Sequence, residues 1–109
     1  MAEAILVKGG YSESNTKTIS LDNVKIAVSA WKLDDSPTKS PDYPYTAPTT
    51  IPGMTENYIP DVVFGITDAI SGNYAPVCKS AADSVYIYAK EIPETEITLL
   101  TVKGTLQVY

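Results

Sequence analysis

The side chains that could do chemistry in this chain are carboxylates, one thiol and an excess of tyrosines, because none of the 109 residues is a histidine. That absence removes the commonest general base, the commonest transition-metal ligand and the near-neutral proton switch together. Cys78 is the single cysteine. It has no internal disulfide partner and no histidine to activate it, so it reads as a small core hydrophobe. The serines likewise lack a base. Asp34-Asp35 adjoin in an expected turn, and Glu91, Glu94 and Glu96 surround Pro93. A glycosidase needs two carboxyl groups held roughly 5 to 10 Å apart across a sugar, and nothing in this spacing favours that over solvated acidic turns. No D-x-[DN]-x-[DN]-G run ends in Glu, as a calcium loop would. Gly9-Gly10 is followed by neither G-K-[ST] nor a helical pattern. These residues predict no catalytic centre, no metal site and no cofactor.

Charge narrows the partners. Thirteen acidic residues against eight basic ones give a net charge of −5, and every basic residue is a lysine. Arginine's planar fork is the favoured tool for phosphate and guanine. An acidic, arginine-free chain is a poor ligand for nucleic acid and for anionic membranes. Only Ile5 to Val7 of the opening are strongly apolar, and Glu3 stands where a secretory signal carries positive charge. The expectation is a protein made in the cytoplasm without a signal peptide, since no run approaches the roughly 18 to 20 apolar residues of a membrane span.

Aromatic content is the positive lead. Eight tyrosines stand against one Phe and one Trp. A tyrosine offers a rigid apolar face and a hydroxyl, which suits protein interfaces and sugar stacking. The candidates for such contacts are Tyr43, Tyr45, Tyr58, Tyr86 and Tyr88. They decorate either a surface that packs on the chain's own loops or one that meets a partner.

The elements that must carry them read as strands. Val24-Lys-Ile-Ala-Val-Ser-Ala-Trp31 alternates with period two, as do Asp61–Thr67 and Ser84–Lys90. In the last, Val85, Ile87 and Ala89 share one face, and Tyr86, Tyr88 and Lys90 the other. Glu96–Val102 and Thr105–Tyr109 close the chain, with Gly104 expected as a break or bulge between them. Ala4–Val7 is a shorter candidate strand. Between Asp68 and Ala82 the sequence allows at most one short helix or 3-10 turn. Residues 36–60 hold six of the eight prolines. Proline removes a ladder donor, so this stretch predicts a long proline-rich loop with room for one edge strand near Tyr45 to Ile51. It presents Tyr43, Tyr45 and Tyr58 either to the domain or to a partner.

At 109 residues the chain matches one ordinary domain. Residues 1–10 are either a first strand or an attachment arm. The predicted fold is all-β: an antiparallel β-sandwich of about six or seven short strands with a long Pro-rich loop.

Several segments together resemble a small domain of tail-fibre, baseplate and head-fibre proteins in phages and prophages of Firmicutes. They are Val28-Ser-Ala-Trp31, Tyr43-Pro-Tyr-Thr46, Pro60-Asp-Val-Val63 and the run Val85-Tyr-Ile-Tyr-Ala-Lys-Glu-Ile-Pro-Glu-Thr-Glu-Ile-Thr-Leu99, with the opening Met1-Ala-Glu-Ala-Ile-Leu-Val-Lys-Gly-Gly10. The resemblance covers roughly residues 24 to 102. It implies a non-enzymatic component of the virion, an appendage or capsid-decoration piece that self-associates, commonly as a trimer, and docks on other virion proteins. The alternative it leaves open is a host-recognition module that binds a cell-surface glycan.

Overall fold

The computed structural model describes residues 16–36 and 39–107. Strand Ser84–Ala89 shows the governing rule most plainly. Val85, Ile87 and Ala89 are 0%, 1% and 0% exposed, while Tyr86 and Tyr88 on the opposite face are half-buried. Period-two alternation of this kind requires one buried and one open sheet face. In chain order the described elements are β1 (Thr16–Ile26), a 3-10 turn (Val28–Ala30), β2 (Lys32–Leu33), β3 (Tyr45–Thr50), β4 (Ile59–Phe64), α1 (Ile66–Ile70), β5 (Lys79–Ala81), β6 (Ser84–Ala89) and β7 (Ile97–Gln107).

The strands form two antiparallel sheets, ordered β1-β7-β4 and β2-β3-β6-β5. Their apolar faces meet in a core that includes Ile26, Trp31, Ile51, Met54, Val85, Ile87, Leu99 and Val102. The architecture is the antiparallel sandwich that the alternation predicts. The candidate strand at Ala4–Val7 lies outside the described residues.

Four details differ from the sequence reading, each for a local reason. The predicted strand Val24–Trp31 ends at Ile26. A 3-10 turn follows, closed by Ala30 N–H donating to Ala27 O (3.0 Å) and Trp31 N–H to Val28 O (3.3 Å). This turn aims Trp31 into the core, 5% exposed, although simple alternation puts it on the face opposite Ile26. The strand predicted over Asp61–Thr67 stops at Phe64, and α1 begins one residue after Gly65.

The third difference concerns Gly104, which is not a break. β7 runs unbroken through it, and the irregularity lies at Leu100. There the register against β4 shifts between Val63 and Phe64. On the β1 side Asn23 adopts a left-handed φ of 55°, a conformation asparagine tolerates better than most residues. The bulge changes the phase, so that Ile97 and Leu99 before it and Val102 and Gly104 after it all face the core. Gly104 instead permits a close approach. A Cβ there would meet Met54 Cε at 2.5 Å, Met54 Sδ at 2.8 Å and Tyr58 Cβ at 3.1 Å.

The fourth concerns residues 36–60: the strand allowed near Tyr45 to Ile51 forms at Tyr45–Thr50, but it is an interior strand rather than an edge, and the rest is not one long loop. Strand β3 passes through them with Pro48 inside it, and Pro60 lies inside β4. β3 is an interior strand, but β2 pairs only with Thr46 and Tyr45. From Ala47 onward β3 is paired only to β6, so Pro48 can lack its N–H where no second ladder is formed. β4 is an edge strand, which admits Pro60 by the same argument.

Candidate functional site

Cross-strand register places the tyrosines of β6. Residues directly opposite in an antiparallel pair share a face. Lys32 is opposite Thr46, and Thr46 opposite Tyr88. In the neighbouring row Pro48 is opposite Tyr86, and Tyr86 opposite Lys79. The outer face of the four-stranded sheet therefore carries two tyrosines flanked diagonally by two lysines. Thr46 is buried beneath them, and its hydroxyl donates to Ile87 O at 3.0 Å.

The edge of this sheet beside β6 is built by an unusual connection. Asn73 clamps the end of β6: its side-chain amide donates to Glu91 O and accepts from Glu91 N–H, both at 3.0 Å, while Lys90 N–H donates to Asn73 O at 2.7 Å. Ala75 N–H donates to Tyr88 O at 3.0 Å. The chain then leaves the edge as a three-residue arch, Pro76 to Cys78, and returns at Lys79 opposite Tyr86. Pro76, which has no N–H to give, starts the departure.

Open space lies on both sides of the arch. Toward the core edge, a cleft of about 410 Å³ runs between β4 and the arch, lined by Pro60, Val62, Phe64, Tyr74 and Ile87 among others. Phe64 stacks on Tyr74 with ring centroids 4.8 Å apart, and Trp31 lies 6.0 Å from Tyr74. On the outer side, a groove of about 430 Å³ is bounded by Asp34, Ser40, Tyr43, Lys79 and Tyr88 together with the arch. Asp34, Lys79 and Tyr88 also line an adjoining groove of about 360 Å³ that extends across the sheet past Tyr86 to Lys32, Asp35 and Thr46. Asp34 sits at the junction. Its N–H donates to Pro44 O at 2.8 Å and its carboxylate accepts from Ser36 N–H at 3.1 Å, which holds the segment carrying Tyr43 against the groove. The Lys90 ammonium lies 5.8 Å from the centre of the Tyr43 ring.

Three of the five sequence candidates, Tyr43, Tyr86 and Tyr88, are thus brought to these two adjoining grooves. The other two are not. Tyr45 and Tyr58 pack against the core, and Tyr58 O accepts from the Ser80 hydroxyl at 2.8 Å, tying β5 to the approach to β4. Lys79 reaches the groove across the tight β5–β6 hairpin, whereas Lys32, Asp34 and Ser40 reach it from segments distant in the chain, a placement that no local pattern announces.

Burial pushes the Tyr88 phenol above its ordinary range, and the Asp34 carboxylate adds to the effect. Burial, followed by the charge of Asp61, lifts the Cys78 thiol to about 11, so it is an unreactive thiol rather than a thiolate. Glu91, Glu94 and Glu96 are exposed and do not line the groove. Among the described residues no three His, Cys, Asp or Glu side chains gather as metal ligands would, and no helix is long and apolar enough to cross a membrane.

A second surface differs in kind. On and beside the edge strand β4, Ile59 is 72% exposed, Ile66 77% and Ile70 79%. Val63 and Leu100, on either side of the bulge, are also exposed. Comparison of the chain with family models, curated proteins and solved structures finds no match.

Proposed function

We propose that this chain is a non-enzymatic structural protein of a bacteriophage particle, an appendage or decoration domain that self-associates and docks on other virion proteins. The observation that carries the assembly part is the exposed aliphatic group on and beside β4. Three isoleucines more than two-thirds exposed on one edge strand and the helix after it are surface that water penalises and a neighbouring subunit would relieve. Closed rings bury such a patch on every copy. The virion setting rests on the sequence resemblance. Molar mass by light scattering behind size exclusion tests the assembly. A trimer or other closed oligomer, reduced to monomer by Ile66→Glu with Ile70→Glu, supports it. A monomer at every concentration overturns it.

A second reading is favoured by one observation, the concentration of Tyr43, Tyr86 and Tyr88 in two adjoining grooves. In that reading the chain is a carbohydrate-binding module for host recognition, and the two readings use different surfaces.

A further inference from the structure

Three features of the outer groove bear on what it holds. The first is spacing. Tyr86 and Tyr88 are two residues apart on β6, which separates them by roughly 6 to 7 Å along the strand. Tyr43 lines one groove with Tyr88, and Tyr88 lines the adjoining one with Tyr86. The three rings are therefore spread over two adjoining grooves that share Tyr88. The second is the polar rim. Hydroxyl, carboxylate and ammonium groups from Ser40, Asp34 and Lys79 border the rings, a mixture of donors and acceptors. The third is charge balance. Lys32 and Lys79 are matched by Asp34 and Asp35 along the same groove. A site for a polyanion carries a large excess of cations, and here Lys90, beside the Tyr43 ring, is the one cation beyond that balance.

We infer that the groove of Tyr43, Tyr88 and Tyr86 is an extended subsite for an uncharged oligosaccharide, with one sugar ring against each tyrosine and its hydroxyls bridged by Asp34, Ser40 and Lys79. The inference rests on the carbohydrate-binding reading and adds ligand charge, chain length and location to it. Sugar rings present flat apolar C–H faces edged by hydroxyls, and an aromatic face with a mixed polar rim is complementary to both. A charged chain would leave one of the two like-signed pairs facing a ligand of its own sign.

The test is calorimetric titration of the purified protein with neutral oligosaccharides of glucose and of N-acetylglucosamine, from one to six units, and with a polygalacturonate series of matched length. The expected result is affinity for a neutral series that rises from one unit to three and then levels. Tyr88→Ala and Tyr43→Ala each weaken it roughly tenfold, the scale of one lost stacking contact, whereas Tyr88→Phe keeps most of it. Tyr86→Ala weakens only the longer chains. Near-ultraviolet circular dichroism confirms that each variant is folded.

Binding that ignores all three tyrosines leaves the carbohydrate reading standing and overturns the location. No binding to either neutral series overturns both. Preference for polygalacturonate, lost as salt is added, overturns the assignment of an uncharged ligand. A Tyr88→Ala variant that changes the oligomeric mass and not the glycan affinity assigns the groove to a contact between copies and overturns the inference.

Discussion

Strand β6 separates two regions of the molecule that follow opposite rules, although their residues alternate along six positions. On its inner side Val85, Ile87 and Ala89 are sealed between the sheets. On its outer side Tyr86 and Tyr88 are half-buried among lysines and aspartates contributed by other segments. The inner side is dense and apolar, so any change of volume is felt directly. The outer side is wet and mixed, so its residues can be exchanged at small cost to the fold. The contrast teaches that the two faces of one strand answer to different constraints and can be perturbed separately.

The largest effect is expected at the centre of the inner side. Ile87→Ala removes a side chain packed between the sheets and should destabilise the protein by about 2 to 5 kcal/mol, measured by urea unfolding. Gly104→Ala should cost about 1 to 3 kcal/mol through overpacking. The Met54 side chain can swing away, but Tyr58 Cβ, 3.1 Å from the added methyl, is held by its backbone. Met54→Ala alone should cost about 2 to 5 kcal/mol by opening a cavity, and the double variant should lose less than the sum of the two single losses.

A smaller effect is expected at Asp83, which stitches the β5–β6 hairpin to the turn after β3. Its left-handed φ is 54°, its carboxylate accepts from Gly53 N–H at 3.0 Å, and its backbone bonds to Ile51 and Met54. Asp83→Ala should cost about 1 to 2 kcal/mol. Asp83→Asn, which keeps both the conformation and an acceptor, should cost little. On the outer side, Tyr86→Ala should change the unfolding free energy by about 1 kcal/mol or less. An outer-face loss as large as that of Ile87→Ala would erase the distinction between the faces.

The smallest perturbation is chemical. With its thiol lifted to about 11, Cys78 should alkylate slowly at pH 8. The rate should climb with pH until the thiolate predominates above about 11, and in denaturant the rise should shift to lower pH. Rapid labelling of the native protein at pH 8 would mean that the arch opens and exposes the thiol.

The five tyrosine candidates show how far the sequence reaches. Alternation alone put Tyr86 and Tyr88 on the face opposite Val85, Ile87 and Ala89, because the pleat fixes that relation within a strand. The sequence grouped Tyr43, Tyr45 and Tyr58 by their shared proline-rich stretch, but the fold divides them. Tyr45 enters β3 on its inward phase opposite Ala89, Tyr58 packs beside Gly104, and Tyr43 stays outside. Residues 36–60 read as loop with at most an edge strand near Tyr45 to Ile51, because proline argues against an interior strand. The exception at Pro48 depends on β2 being only two residues long, which is a property of pairing and not of composition.

The sequence by itself determined the fold class, the inner face of β6 and the want of histidine and arginine chemistry. Each of these follows from residue identity or from period-two spacing within one segment. Only the tertiary structure decided where the phase of β7 changes, which way Trp31 turns, and that Lys32, Asp34 and Lys79 meet Tyr43, Tyr86 and Tyr88. Those relations join residues from 7 to more than 50 positions apart. Their register is set by packing of the whole core, so no local pattern along the chain encodes it.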